Sequence, residues 1–255
     1  MKKGILVVSF GTSYEETLKK NIERVENCIK DAFDPLEVRR AFTSNMIIKK
    51  LRNQGVHILT TNEALDEMIE DGFTEIIVQP LHVIPGFEYE KVKKAVAKAK
   101  HNRAVDIKLG MPLLDTIATY RELIEAFETE FDKEVFGKGY LLMGHGTDHF
   151  ANAAYSLLQR LFDENRGDVV IANVEGYPEL DDVLENLKDR FKHLTLIPLM
   201  MVAGDHAIND MASDEEDSFK SILESEGIQT SAVLKGMGEN TQIAELFVNR
   251  IKSLV

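Results

Sequence analysis

Gly4-Ile5-Leu6-Val7-Val8-Ser9-Phe10-Gly11-Thr12-Ser13 and Gly139-Tyr140-Leu141-Leu142-Met143-Gly144-His145-Gly146-Thr147-Asp148 follow one pattern. Each is a continuous apolar run that stops at a turn of small residues. A short apolar run bounded by turn residues suits a strand buried on both faces. A second pair recurs in the same order: Val78-Gln79-Pro80-Leu81-His82-Val83-Ile84-Pro85-Gly86 and Leu196-Ile197-Pro198-Leu199-Met200-Met201-Val202-Ala203-Gly204. Two ordered matches point to an internal duplication in which each half carries four strands.

Outward from these runs, strand patterns fall at Gly4–Ser9, Leu36–Phe42, Glu75–Leu81 and Asp106–Leu109, and again at Tyr140–Gly144, Val169–Val174, Leu194–Leu199 and Ser231–Leu234. Helix-period segments lie between them: Glu15–Ala32, Asn62–Glu70, Glu88–Lys100, Asp115–Phe131, Ala151–Phe162, Leu180–Arg190, Asp214–Glu226 and Thr241–Leu254. Thr60 and Glu63 have the spacing of a capping box at one helix start. Continuous strands interleaved with helices imply an α/β fold with parallel sheets covered on both faces. The expectation is two half-domains with parallel four-stranded sheets facing each other across a cleft. No Gly/Ser-rich or Pro-rich linker is present, so the seam is placed at the long helix around Asp115–Phe131, dividing the chain into 1–125 and 126–255.

Composition narrows the function. The 255 residues are 44% apolar and 29% charged, ordinary for a globular chain. One cysteine, Cys28, excludes a disulfide scaffold and any cysteine-built zinc or iron–sulfur centre; its helical pattern reads as core. There is no tryptophan and aromatic content is 7%, too sparse for a base-stacking surface. The net charge of −13 opposes binding to a phosphate backbone. The apolar run Ile5–Val8 is too short for a secretory core, and no stretch approaches the roughly 20 apolar residues of a membrane span. The chain reads as cytoplasmic, without membrane or nucleic-acid partners. Against the acidic background, Arg39, Arg40, Lys49, Lys50 and Arg52 cluster near the second strand and the helix after it. A solvated face is the plain reading, and an anchor for substrate carboxylates the sharper one.

In open α/β sheets ligands sit beyond the carboxyl ends of the strands, and three candidates stand there in the second half. His145 is flanked by Gly144 and Gly146, which let the chain turn sharply and expose the imidazole. Glu175 ends an apolar strand, where a carboxylate needs solvent, a cation or a partner. His206 follows Asp205 in the loop after the strand Leu194–Leu199. Each alone has an ordinary alternative as a turn, loop or capping residue. Together, two imidazoles and a carboxylate suit a divalent first-row metal, without saying which. Where the first half has Phe10 the second has His145, and where it has Glu88 the second has His206. His145 and His149 have helical pair spacing, but Gly146 sets His145 outside the helix. His82 could line the cleft or be a hydrogen-bonded strand-end histidine, whereas His57, His101 and His193 read as surface residues. Met200, Met201 and Met211 read as ordinary packing, and Gly236-x-Gly238 lacks the rest of a dinucleotide fingerprint.

With these residues assembled, the chain resembles the class II tetrapyrrole chelatases, and within them the anaerobic cobalt chelatases that metallate sirohydrochlorin. The resemblance rests on Leu6–Ser13, Arg40-Ala41-Phe42-Thr43-Ser44, Glu88-Tyr89-Glu90-Lys91, Met143-Gly144-His145-Gly146, Val174-Glu175-Gly176-Tyr177-Pro178-Glu179 and the long stretch Pro198–Ala212. It implies two Rossmann-like half-domains related by a pseudo-twofold axis, with the tetrapyrrole between them. It also implies a metal site of His145, Glu175 and His206, with His145 and Glu175 carrying the released protons. Phe10, Thr12, Ser13 and Glu88 are the implied substrate contacts. One departure is Gly176, where a small polar residue such as serine is expected. The implied reaction inserts Co2+ into sirohydrochlorin, in anaerobic cobalamin biosynthesis, with release of two protons. Cobalt is then a substrate, and no organic cofactor is implied. Iron or nickel insertion into the same ring, a non-catalytic metal or tetrapyrrole carrier and, more weakly, a periplasmic-type two-lobed binding protein stay open as alternatives. So does oligomeric state, a homo-oligomer included.

Overall fold

The computed structural model describes residues 2–102 and 105–255. In chain order the elements are β1 (Lys2–Ser9), α1 (Glu15–Thr17), α2 (Arg24–Ala32), β2 (Glu37–Phe42), α3 (Asn45–Asn53), α4 (Thr61–Glu70), β3 (Phe73–Pro80), α5 (Phe87–Asn102) and β4 (Asp106–Leu109). They continue with α6 (Ile117–Glu128), β5 (Lys138–Gly146), α7 (Ala153–Phe162), β6 (Val169–Glu175), α8 (Leu180–Arg190), β7 (His193–Pro198), α9 (Phe219–Ser225), β8 (Gln229–Ala232) and α10 (Thr241–Lys252). The eight strands form two four-stranded sheets, ordered β2-β1-β3-β4 and β6-β5-β7-β8, with every pairing parallel. The two orders are the same, so the duplication read from the sequence is a duplication of topology.

The repeated apolar runs are the sheet centres. Ile5 to Val8 of β1 and Leu141 to Met143 of β5 are fully buried. That burial on both faces is why they are continuous rather than alternating. One core gathers Leu6, Val8, Ala41, Leu65, Ile76 and Val92; another gathers Leu141, Met143, Ala172, Leu187, Leu196 and Leu223. The capping box at α4 is present: Thr60 Oγ1 accepts from the Glu63 N–H, and Glu63 Oε2 from that of Thr60. Cys28 is half-buried at the flank of α2 rather than in the core. None of the described helices is long and apolar enough to cross a membrane.

The chain divides differently from the expected 1–125 and 126–255. One compact unit is residues 2–115 with Gly238–Val255; the other is Thr116–Met237. The final helix α10 packs on α2 and β3. Arg250 of α10 bonds the Leu113 carbonyl at 2.6 Å and pairs with Asp115 at 3.2 Å, while Arg24 donates to Thr241 at 2.5 Å. Helix α6 goes the other way. Phe127 meets Phe162 of α7 edge-on, and Glu128 pairs with the buried Arg166 at 2.9 Å. Periodicity shows that a helix has an apolar face, but not which core that face covers.

The arginines of the basic cluster do not stand open as a carboxylate anchor. Arg39 is spent on Glu37, Glu67 and Asp71, Arg40 on Glu23 and Glu26, and Arg52 on Glu63. Lys50 lies over the Tyr14 ring at 5.5 Å.

Candidate functional site

In the sheet β6-β5-β7-β8 the chain reverses direction of growth at β5: β6 is laid on one side of it and β7 on the other. Such a switch point opens a crevice at the strands' carboxyl ends. His145 ends β5, and His206 follows β7. Their rings meet edge to face, with centroids 4.7 Å apart and planes at 83°. Both Nδ1 atoms are engaged: that of His145 with the Gly146 carbonyl at 3.0 Å, that of His206 with Asp210 Oδ2 at 2.5 Å. A carbonyl and a carboxylate can only accept, so each neutral imidazole carries its proton on Nδ1 and presents Nε2 as a lone-pair donor.

The glycines around His145 have two different reasons. Gly146 adopts φ 77°, and a Cβ there would overlap the Glu175 carbonyl oxygen. Gly144 is closely approached by the ring of Tyr155 and by Asn173 Oδ1, which occupy the space a side chain would need. Tyr155, on α7, is buried against this turn. Burial pushes its phenol up to about 12, with hydrogen bonding to the Gly146 and His145 backbone pulling the other way. The turn is also tied to its neighbour: Asn152 accepts from the Thr147 N–H at 3.0 Å and donates to the Tyr177 carbonyl at 2.6 Å.

Glu175 stands on the other side of β5, in register with Gly146, and is exposed. The structure therefore brings His145 and His206 together and leaves Glu175 one strand over; among the described residues no group of three His, Cys, Asp or Glu is set to hold a metal ion. Gly176 has φ 75°, a conformation that disfavours the serine expected there.

The other expected residues stand at the carboxyl ends of β1 and β3. Phe10 is 40% exposed, Ser13 is half-buried, and Thr12 is buried with its hydroxyl accepting from the Tyr14 N–H at 3.2 Å. Glu88, in the first turn of α5, pairs with Lys91 at 2.6 Å through Oε1, while its Oε2 is buried without a hydrogen-bond partner. His82 is buried, its Nε2 3.4 Å from Thr43 Oγ1 and its Nδ1 without a partner. Burial pushes its pKa down to about 4; the Glu88 charge works in the opposite direction and Lys91 reinforces the fall. Buried beside Thr43 just after β3, it matches the strand-end histidine of the two readings. His149 caps the short turn Phe150–Asn152 by accepting from the Ala151 N–H, so the helical two-histidine pair does not form. Met201 and Met211 are buried, and Met200 packs against the same core.

Sequence reasoning passed over Tyr155 and Asp210. Asp210 had a legible signal, its spacing of four from His206; Tyr155 had none, because its role lies in a contact between α7 and the end of β5.

A family model described as cobalt chelatase (CbiK) matches residues 3–255. The chain belongs to that family. It is 40% identical over 250 residues to a sirohydrochlorin cobaltochelatase of Salmonella typhimurium, covering 97% of this chain and 94% of that protein. It is 31% identical to the sirohydrochlorin cobaltochelatase CbiKC of Nitratidesulfovibrio vulgaris, over 100% of this chain and 91% of the relative. The structure of SirB from Bacillus subtilis with Fe3+ shares the fold at a TM-score of 0.64 and 15% identity, covering 99% of this chain and 95% of that one. The chelatase resemblance drawn from the motifs is thus borne out at the level of the family and the fold.

Proposed function

We propose that this chain is a sirohydrochlorin cobaltochelatase, exchanging the two pyrrolic protons of the free-base ring for one Co2+ in anaerobic cobalamin biosynthesis, in the cytoplasm. The observation that carries the reading is the His145–His206 pair at the switch point of a chain belonging to the cobalt chelatase family. Two neutral imidazoles presenting Nε2 hold a divalent first-row ion without saturating it. An ion with exchangeable positions can pass to the ring nitrogens one ligand at a time. Glu175 is the proposed third ligand; because it is exposed, turning it towards the histidines costs side-chain ordering of about 1.5–2 kcal/mol.

As pyrrolic protons leave, an acceptor is needed within hydrogen-bond reach. His145 takes that role once its Nε2 has released the ion, and Glu175 passes the charge to solvent. Phe10, Thr12, Ser13 and Glu88 belong to the same proposal as tetrapyrrole contacts. The Thr12 hydroxyl is already used within its turn, so Phe10 and Glu88 are its stronger members.

An anaerobic absorbance time course with sirohydrochlorin and Co2+ tests this. The wild-type protein converts the ring through many turnovers, and His145→Ala does not. Equal conversion by both removes His145 from the mechanism. A spectral shift that saturates at one equivalent without turnover identifies a carrier instead. Competition between Co2+, Fe2+ and Ni2+ at limiting ring then ranks the metals.

A further inference from the structure

The tautomers of the two histidines are fixed by different means. His145 Nδ1 donates to the Gly146 carbonyl, a backbone group that no substitution removes. His206 Nδ1 faces a side chain, Asp210 Oδ2, at 2.5 Å across the π-helical turn Ala207–Met211. Both partners are partly exposed, at 40% and 44%, so as a plain surface pair the contact contributes little to stability. Its geometry does more than pair charges. A carboxylate accepts and cannot donate, so it holds the His206 proton on Nδ1 and leaves the Nε2 lone pair bare. A neutral imidazole in water carries its proton mainly on Nε2, the arrangement that would block coordination. The same bond fixes the ring plane, which stands at 83° to that of His145.

We propose that Asp210 is a positioning residue for metal handling. It locks His206 in the Nδ1–H tautomer and turns its Nε2 towards the ion shared with His145. This rests on the reading of His206 as a Co2+ ligand. Carboxylates that hold a metal-binding histidine in this way typically govern affinity by roughly 10- to 100-fold. The π-helical turn is part of the device, since it sets the carboxylate beside the ring of the residue that opens the turn.

The test uses the full chain with Co2+ alone, so it does not depend on turnover. Two readouts are taken: the tautomer of His206 by long-range 1H–15N correlation on histidine-labelled protein, and Co2+ affinity by visible absorption. The His206 signals are those that vanish in His206→Ala. The wild type shows Nδ1–H. In Asp210→Ala and Asp210→Asn the Nδ1–H population falls and Co2+ affinity drops roughly 10- to 100-fold, while Asp210→Glu recovers part of both. An unchanged tautomer, or affinity within about twofold of wild type in Asp210→Ala, overturns the positioning role. If His206→Ala loses Co2+ and Asp210→Ala does not, the ligand reading survives and this inference fails. If His206→Ala itself keeps full affinity, both fall together.

Discussion

At the scale of single residues, the turn that presents His145 is over-determined. Gly146 needs a positive φ and has no room for a Cβ beside the Glu175 carbonyl. The left-handed conformation alone costs an L residue about 1–2 kcal/mol, and the overlap adds to it. Gly146→Ala is therefore expected to lower the unfolding free energy by about 3 kcal/mol in urea denaturation. A loss under about 1 kcal/mol would show that the turn relaxes cheaply. The sequence made the glycines visible as hinges for an accessible imidazole, but Gly144 answers to the ring of Tyr155 and to Asn173, partners from other elements. His82 makes a second residue-scale prediction. Its folded pKa of about 4 lies below the ordinary 6.5, so between those values the unfolded chain binds a proton that the native one does not. Stability is then intact above about pH 6.5 and falls as the pH drops towards 4. Between about pH 7.5 and about pH 5 the loss is about 2 kcal/mol. His82→Gln should flatten that part of the stability–pH curve; a curve as steep as wild type would place the titration elsewhere.

At the scale of elements, the strands were legible and some helix ends were not. Burial on both faces makes β1 and β5 apolar throughout, which the chain cannot disguise. The edge strand β8 is largely exposed and spans Gln229–Ala232, whereas the apolar Val233 and Leu234 drew the expected strand two residues late. The pattern read as one helix over Glu15–Ala32 contains a π-helical stretch, Leu18–Glu23, because periodicity reports which face is buried and not which carbonyl each N–H meets. Between elements, the pair of Arg40 on β2 and Glu26 on α2 ties helix to sheet. Arg40 Nη2 lies 2.5 Å from Glu26 Oε2, and the Glu26 side chain is 4% exposed. Burial works against the Arg40 charge, but hydrogen bonds to Glu26 and Glu23 outweigh it and hold its pKa above the ordinary value. Arg40→Leu strands the buried Glu26 carboxylate and should cost about 3 kcal/mol, whereas Glu26→Leu combined with Arg40→Leu should cost far less. Urea denaturation of the wild type and both variants reads this directly, and equal losses in the single and the double would contradict a stranded charge.

At the scale of the whole molecule, the unit that starts the chain is completed by its end. Helix α10 contributes Ile243, Ala244, Phe247, Val248 and Ile251 as buried residues, and it packs on α2 and β3. Fully burying each of the four larger side chains is worth about 1.5–3 kcal/mol, and roughly 8 kcal/mol together after allowing for residual burial in the unfolded chain. That is as large as the whole stability of a typical domain, about 5–15 kcal/mol. The sequence could not assign this helix, because an apolar stripe fits any core and the duplication made the second half look self-contained. The unit Thr116–Met237 is by contrast one continuous stretch with its own sheet and core. Expressed alone, it should unfold in a single cooperative urea transition, while residues 1–115 alone should show none. Adding a peptide of residues 238–255 to 1–115 should restore a transition whose midpoint rises with peptide concentration, since binding to the native state stabilises it by mass action. A cooperative transition in 1–115 without the peptide would mean that α10 covers this unit but is not needed to build it.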